Sequence, residues 1–287
     1  MARLNYLPFF LGSLLSCSLK AAGPTISFDI LQSLSKKSHP FSYNLNPLVL
    51  SGPEKEAPVM VVCHGYGDNY SLAHYLHEMK VTSHHIVGFN FPDHGITAGD
   101  DHTKSSFGTV HEILPLLYLL KTCVIDFQLS TINLYGFSAG GGAVINALAT
   151  LHTHRFDAEL AQIGISGADK QTIMKALTAG IVILECPLKS VTEIIDSRGT
   201  SPELTALAGQ YTRNKMHPLE VLTSLTGIAL TLFLYFENPD DILSNRDDML
   251  FIQQLKQANK GQTIVTLGYE GGHTAHHSRL WNSVNAH

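Results

Sequence analysis

The sequence predicts an α/β protein whose mostly parallel central sheet is covered by helices on both faces. Short apolar runs alternate along the chain with helix-length segments, and Gly, Pro, Asn or Asp bound most of these runs. Continuous apolar runs of this length are typical of strands that are buried on both faces. The 287 residues are 44% hydrophobic and 15% charged, which suits a domain with a large buried core.

Six apolar runs predict strands, and five segments of helical periodicity predict the helices between them. The predicted strands span 58–63, 85–91, 131–135, 162–166, 230–236 and 263–267. The predicted helices span 71–80, 105–121, 139–152, 246–259 and about 274–284. Strands that alternate with helices in this way indicate a parallel sheet rather than a sandwich or a helical bundle.

Charge and cysteine content exclude several classes of function. The chain has 19 basic and 24 acidic residues and lacks a basic cluster, so it offers no surface for nucleic acid. Cys63, Cys123 and Cys186 are widely spaced, and no CxxC pair is present. This pattern predicts neither a disulfide framework nor a zinc site, and Cys63 is expected to be a buried thiol.

The first 22 residues have the layout of a secretory signal. Arg3 precedes an apolar stretch that is about half the roughly 20 residues needed to span a membrane, and small residues follow. We therefore expect an exported protein, periplasmic, secreted or lipid-anchored, rather than a cytoplasmic one. The tetrapeptide that ends at Cys17 resembles a bacterial lipobox, and a lipid on Cys17 is the only membrane association that the sequence suggests.

The sequence GFSAG at 136–140 directly follows a predicted strand and precedes a predicted helix. A serine on so sharp a turn needs small residues two positions before and after it, so that strand and helix can pack closely. Ser138 is therefore the predicted nucleophile, with Gly136 and Gly140 as the glycines of the turn. The amide of Ala139, at the helix N-terminus, suits a developing negative charge.

A serine nucleophile needs a base and an orienting carboxylate, in the chain order serine, acid, histidine for this architecture. An acidic loop containing Asp240 and Asp241 follows the strand at 230–236, and Gly-Gly-His273 follows the strand at 263–267. Two further acids and two further histidines remain as alternatives; they are Asp247, Asp248, His276 and His277. A zinc site formed by the three histidines with Glu270 is disfavoured because no HExxH pattern is present, so neither metal nor cofactor is predicted.

From about Pro58 to the C-terminus the chain resembles the α/β-hydrolase superfamily. The resemblance rests on His64-Gly65 after a central strand, GFSAG at the turn, an aspartate after the penultimate strand and Gly-Gly-His after the last. It implies an α/β-hydrolase domain over 23–287, with a small helical cap at about 170–225 inserted after the sixth strand of the family's sheet.

The same resemblance implies the roles of individual residues. It favours Asp240 over Asp241 as the acid and His273 as the base, and it makes Tyr66 the second amide donor of the oxyanion hole. His64 would then support its loop. Three residues are candidates for the pocket wall: His64, and Asp93 and His94 in the loop at 91–95.

These residues together predict a serine hydrolase that cleaves a small or lipid-like carboxylic ester through an acyl-enzyme intermediate. An acyl-thioesterase or a serine aminopeptidase on the same fold is the alternative, because fold alone does not determine the substrate. A non-catalytic binding protein of this fold is disfavoured, since all three positions of the triad are present.

Overall fold

The computed structural model of this chain describes residues 25–41, 43, 45, 47–78, 83–92, 94, 106–237, 240, 242–243 and 245–268. Its strands, in chain order, are β1 (Ile26–Ser27), β2 (Leu48–Leu50), β3 (Glu56–Ala57), β4 (Val59–Cys63), β5 (His85–Gly88), β6 (Asn133–Phe137), β7 (Ile181–Glu185), β8 (Thr231–Glu237) and β9 (Thr263–Gly268). Its helices are α1 (Phe28–Gln32), α2 (Ser71–Glu78), α3 (Val110–Lys121), α4 (Ala139–His152), α5 (Asp157–Gln162), α6 (Gly167–Thr178), α7 (Val191–Arg198), α8 (Pro202–Asn214), α9 (Pro218–Val221) and α10 (Asp248–Ala258).

Seven strands form one sheet in the order β2-β5-β4-β6-β7-β8-β9, and β1 pairs separately with β3. Every neighbouring pair in the large sheet is parallel except β2 with β5. The carboxyl ends of β4, β6, β8 and β9 therefore meet at the same edge of the sheet. This edge is where ligands bind in open parallel sheets.

Helices cover both faces of the sheet, as predicted. Alternate residues of a strand point to opposite faces: Met60 and Val62 of β4 pack in a cluster with α2, whereas Val59, Val61 and Cys63 belong to the larger core. That larger core also contains buried side chains of α3, α4, α6 and α10. Cys63 is fully buried and free, and burial raises the pKa of its thiol far above the ordinary value.

One predicted strand is wrong. The segment 162–166 begins at the end of α5, turns at Gly164 with a positive φ of 73°, and leads into α6. Ser166 and Asp169 form a capping box there, which starts a helix instead of continuing a strand. The strand between β6 and β8 is β7, which falls inside the predicted cap.

The boundaries of the predicted cap change accordingly. Residues 170–185 of the predicted segment 170–225 belong to α6 and to the central strand β7, so they are part of the main domain. The inserted helices are α7, α8 and α9, between β7 and β8. The helix predicted over 105–121 begins at Val110, because Thr109 caps it through a hydrogen bond from the His111 amide.

The other five predicted strands are present as β4, β5, β6, β8 and β9. The predicted signal at 1–22, with Cys17, and the final helix at 274–284 lie outside the described residues. Among the residues that the structure describes, no helix has the length and apolar character to cross a membrane.

Candidate active site

Ser138 occupies the turn between β6 and α4 and has a backbone conformation that L-residues rarely adopt, with φ 53° and ψ −120°. Its peptide groups are held on both sides: Ser138 N donates to Glu185 O at 3.0 Å, and Ser138 O accepts from Leu188 N at 2.8 Å and Gly142 N at 3.2 Å. Such conformations persist only where surrounding contacts fix them, and they cluster at active sites. The serine side chain does not cap its own helix.

The two glycines of the turn are required by close backbone packing. A Cβ at Gly136 would lie 2.8 Å from Gly140 O, and a Cβ at Gly140 would overlap the carbonyl oxygens of Cys63 and His64. The first turn of α4 is therefore pressed against both β6 and the end of β4. This contact explains the spacing of the GxSxG sequence, and it leaves the Ala139 amide in the first helical turn, where amides lack an intrahelical partner.

The loop after β4 lies beside Ser138. A Cβ at Gly65 would come within 3.2 Å of the Phe137 ring and 3.4 Å of Ser138 Cβ. The next residue, Tyr66, has a side chain that is 58% exposed. Its ring meets those of His94 and Phe107 edge-on, with centroids 5.3 and 5.4 Å away. An aromatic wall formed by Tyr66, His94 and Phe107 thus lies next to the predicted oxyanion loop.

His64 supports this loop through both of its ring nitrogens. Nδ1 lies 2.7 Å from Gly65 O, and Nε2 accepts a hydrogen bond from Phe91 N at 3.1 Å. Because Nε2 accepts, the proton of the neutral ring is on Nδ1. Burial lowers the pKa of His64 to about 4, so the ring is neutral near pH 7. With both nitrogens occupied, His64 is positioned as a support of the loop and not as a base.

His94 is also buried, with Nδ1 3.0 Å from Pro92 O. Its ring centroid lies 4.9 Å from that of Phe107 and 5.6 Å from that of His64. The predicted pocket residue Asp93 lies outside the described residues, as do the predicted base His273 and the alternative acid Asp241. The structure therefore brings Ser138, Gly136, Gly140, Ala139, His64, Tyr66 and His94 together at one edge of the sheet.

Asp240 lies in the loop that follows β8 and is firmly fixed. Its Oδ1 accepts hydrogen bonds from the amides of Ile242 and Leu243, both at 2.8 Å. Its own amide donates to Asn245 Oδ1 at 3.1 Å. The alternative Asp248 is engaged differently, because its Oδ1 is paired with Lys189 Nζ at 2.6 Å. The ion pair engages the Asp248 carboxylate, whereas the hydrogen bonds to Asp240 come from backbone amides of its own loop.

Two groups of buried residues near this edge were not found from the sequence. One is the ion cluster of Lys189 with Glu193 and Asp248, for which the i,i+4 spacing of Lys189 and Glu193 was the only signal. The other is Glu112, whose carboxyl group contacts Tyr211. Within the described part of the chain, no three His, Cys, Asp or Glu residues are grouped so that they could hold a metal ion.

Comparison of the sequence with protein-family models finds no match, and comparison with curated proteins finds none either. Solved structures are similar. A carboxylesterase from Lactobacillus plantarum superposes with a TM-score of 0.59 at 16% identity, over 87% of this chain and 90% of that chain. A lipase/esterase from the same organism gives 0.55 at 18% identity, over 79% of this chain and 86% of that chain. A monoacylglycerol lipase from Paleococcus ferrophilus gives 0.52 at 15% identity, over 84% and 96%. The chain has the α/β-hydrolase fold, as the sequence predicted.

Proposed function

We propose, from the α/β-hydrolase fold and the conformation of one serine, that this protein is a serine hydrolase that cleaves carboxylic esters through an acyl-enzyme intermediate. The observation that carries the proposal is the strained turn at Ser138, held by backbone hydrogen bonds from its neighbours. Strain of this kind projects a side chain from the sheet edge and is hard to explain as a packing requirement, since the packing contacts at this turn are made by glycines.

In the proposed reaction Ser138 attacks the ester carbonyl while His273 accepts its proton. His273 then returns the proton to the leaving alcohol, and water hydrolyses the acyl-enzyme by the same route. Asp240 orients His273 and stabilises its charged form. The amides of Tyr66 and Ala139 bind the oxyanion, a stabilisation that typically contributes about 3 to 4 kcal/mol for each donor.

Esters are the proposed substrates because the exposed ring of Tyr66, which packs on the buried rings of His94 and Phe107, offers an apolar surface beside Ser138. The named structural neighbours are a carboxylesterase, a lipase/esterase and a monoacylglycerol lipase, which supports the same choice at low sequence identity. Thioesters and aminoacyl amides are the alternatives, since the same chemistry acts on all three groups.

A fluorophosphonate probe tests the nucleophile. We expect the purified protein to react at one residue, and the Ser138→Ala variant to lose both labelling and ester hydrolysis, by about 10⁶-fold in kcat. Failure of the wild type to react, or equal labelling of the variant, would overturn the proposal. A panel of p-nitrophenyl esters and aminoacyl anilides then tests the substrate class, and faster cleavage of the anilides would favour the peptidase alternative.

The acid of the triad is tested by a pair of neighbouring variants. Asp240→Asn should lower kcat by about 10⁴-fold, the loss typical when a triad histidine takes the wrong tautomer. Asp241→Asn is the matched control and should retain most of the activity. The opposite result would assign the role to Asp241.

We also propose that the protein is exported, on the evidence of residues 1–22 alone. Mass spectrometry of the mature N-terminus tests this: a chain that begins at Cys17 and carries a lipid would establish anchoring, and a chain that begins nearby without one would establish ordinary cleavage. A full-length cytoplasmic product would contradict export.

A further inference from the structure

A network of hydrogen bonds and ion pairs, joined by the peptide link between Leu188 and Lys189, connects the backbone of Ser138 with the loop that carries Asp240. It begins at Leu188, whose amide donates to Ser138 O at 2.8 Å. The next residue, Lys189, is buried to 1% exposure. Its ammonium group contacts Asp248 Oδ1 at 2.6 Å and Glu193 Oε1 at 2.7 Å, so that it ties the start of α7 to the start of α10.

Asp248 in turn is hydrogen-bonded to Asn245, which lies in the 3-10 turn that precedes α10. Asn245 Nδ2 donates to Asp248 Oδ2 at 2.8 Å and to Glu237 O at 2.6 Å. Its Oδ1 accepts from Asp240 N at 3.1 Å. A single amide side chain thus joins the last residue of β8, the first residue of α10 and the peptide group of Asp240.

The charged side chains of this network hold one another in a fixed arrangement. A buried cation requires partners of opposite charge with good geometry, and Lys189 contacts two carboxyl groups. Burial opposes the charge of Lys189, but Glu193 and Asp248 outweigh that effect and raise its pKa above the ordinary value. Lys189 Nζ also lies 5.5 Å from the centre of the Phe236 ring, in β8. The ammonium group is therefore held between β8, α7 and α10.

We propose that Asn245, supported by the Lys189–Asp248 pair, is a positioning residue that sets the place of the Asp240 carboxylate relative to Ser138. The proposal rests on the proposed function, in which Asp240 orients the base. Asn245 fixes the peptide of Asp240, and the carboxylate is then held by the amides of Ile242 and Leu243 in the same loop. A displacement of about 1 Å in such a group can lower a rate by about 10²-fold.

The chain contains a matched control at the opposite end of β8. Asn259 is also a bridging amide: its Oδ1 accepts from Leu230 N at 2.8 Å, and its Nδ2 donates to Leu230 O at 2.9 Å. Asn245 bonds to the last residue of β8, and Asn259 bonds to Leu230, which immediately precedes the strand. Each therefore ties one end of β8 to one end of α10, and the end held by Asn259 is the one remote from Ser138. Asn245→Ala and Asn259→Ala therefore remove comparable side chains from the two ends of one strand.

The experiment compares the pH dependence of ester hydrolysis in the two variants, with the folded enzyme counted by fluorophosphonate titration. For Asn245→Ala we expect kcat to fall about 10- to 100-fold with little change in KM. We also expect the acidic limb of kcat/KM to move to lower pH, because a displaced carboxylate stabilises the histidinium less. Asn259→Ala should leave kcat and the acidic limb unchanged per folded molecule, whatever it does to stability.

Equal effects of the two variants on kcat and on the acidic limb would overturn the positioning role. If Asn245→Ala does not fold, Asn245→Ser, which keeps a small polar group, gives the same comparison. A wild type that neither hydrolyses esters nor labels at Ser138 would instead contradict the proposed function, so the two failures are distinguishable.

Discussion

Glu112 is a fully buried carboxyl group in the first turn of α3, and its ionisation should make the stability of the fold depend on pH. Its Oε2 accepts from Gly108 N at 2.6 Å, and its Oε1 accepts from the Tyr211 hydroxyl of α8 at 3.2 Å. Burial raises the pKa of Glu112 from the ordinary 4.5 to about 8, and the two hydrogen bonds offset only part of this effect. Near pH 7 the carboxyl group is mainly protonated.

The sign of the effect follows from this raised pKa. Between pH 4.5 and 8 the folded state keeps a proton that the unfolded chain has released, so the free energy of unfolding falls as the pH rises. The slope is about 1.4 kcal/mol per pH unit, and the whole window amounts to about 5 kcal/mol. This contribution is present in full below pH 4.5 and is lost above pH 8.

Glu112→Gln removes the titration and keeps the shape. The carboxamide oxygen still accepts from Gly108 N, and its NH₂ group can donate to the Tyr211 hydroxyl oxygen. Urea unfolding of both proteins from pH 5 to pH 9 gives the measurement. The stability of the wild type relative to Glu112→Gln should decrease by about 1.4 kcal/mol per pH unit up to pH 8 and then level off. Glu193, whose pKa burial raises to about 7, titrates in both proteins, so its effect cancels in the difference.

An exposed glutamate provides the control: Glu54→Gln should follow the wild type at every pH. A difference in stability between wild type and Glu112→Gln that stays constant from pH 5 to pH 9 would refute the reasoning.

Ionisation of Glu112 is expected to disturb the candidate site as well. The carbonyl of Phe107 accepts a hydrogen bond from Gln210 of α8, and the Phe107 ring packs on Tyr66. As the pH rises, the packing of Tyr66, His94 and Phe107 should therefore be disrupted at a lower pH than the central sheet.

Two glycine substitutions test the packing of the fold. Gly140→Ala places a methyl group onto the carbonyl oxygens of Cys63 and His64, so we expect fluorophosphonate labelling to slow at least about 10-fold even where circular dichroism shows a folded protein. Labelling at the wild-type rate would contradict the close packing of α4. Gly209→Ala, inside α8, meets only the mobile end of Arg213 and should raise the free energy of unfolding by about 0.5 to 1 kcal/mol, measured in urea, with esterase activity retained.

The features that the sequence predicts most firmly are those with local constraints. Ser138 is specified by its immediate neighbours, because only glycine fits at positions 136 and 140 when a helix packs on two strand ends. The chain order of nucleophile and acid follows from the order of the strands. Five of the six predicted strands are present because each is a local apolar run bounded by turn residues.

The two errors have different causes, one an element that depends on distant partners and the other a local capping signal within an apolar run. The run at 181–185 is as apolar as the other strands, but it follows α6 closely, and its place beside β6 and β8 is set by pairing across the sheet. The run at 162–166 has two buried isoleucines, yet the capping box of Ser166 with Asp169 starts a helix within it. The capping residues Ser166 and Asp169 thus outweighed the apolar pattern of the run.

The acid of the proposed triad shows most clearly what sequence alone leaves open. Asp240 and Asp241 are neighbours in an acidic loop, and the choice between them depends on the shape of that loop. Asn245 accepts from the amide of Asp240, and Asn245 is held by Asp248, which pairs with Lys189 at a sequence separation of 59 residues. Lysine is almost always exposed, so nothing in the sequence marks Lys189 as buried. The turn at the proposed nucleophile is therefore encoded locally, whereas the position of the proposed acid depends on three elements that meet only in the fold. We accordingly expect substitutions remote in sequence from Asp240 to affect catalysis through Asn245, and the comparison with Asn259→Ala measures that dependence.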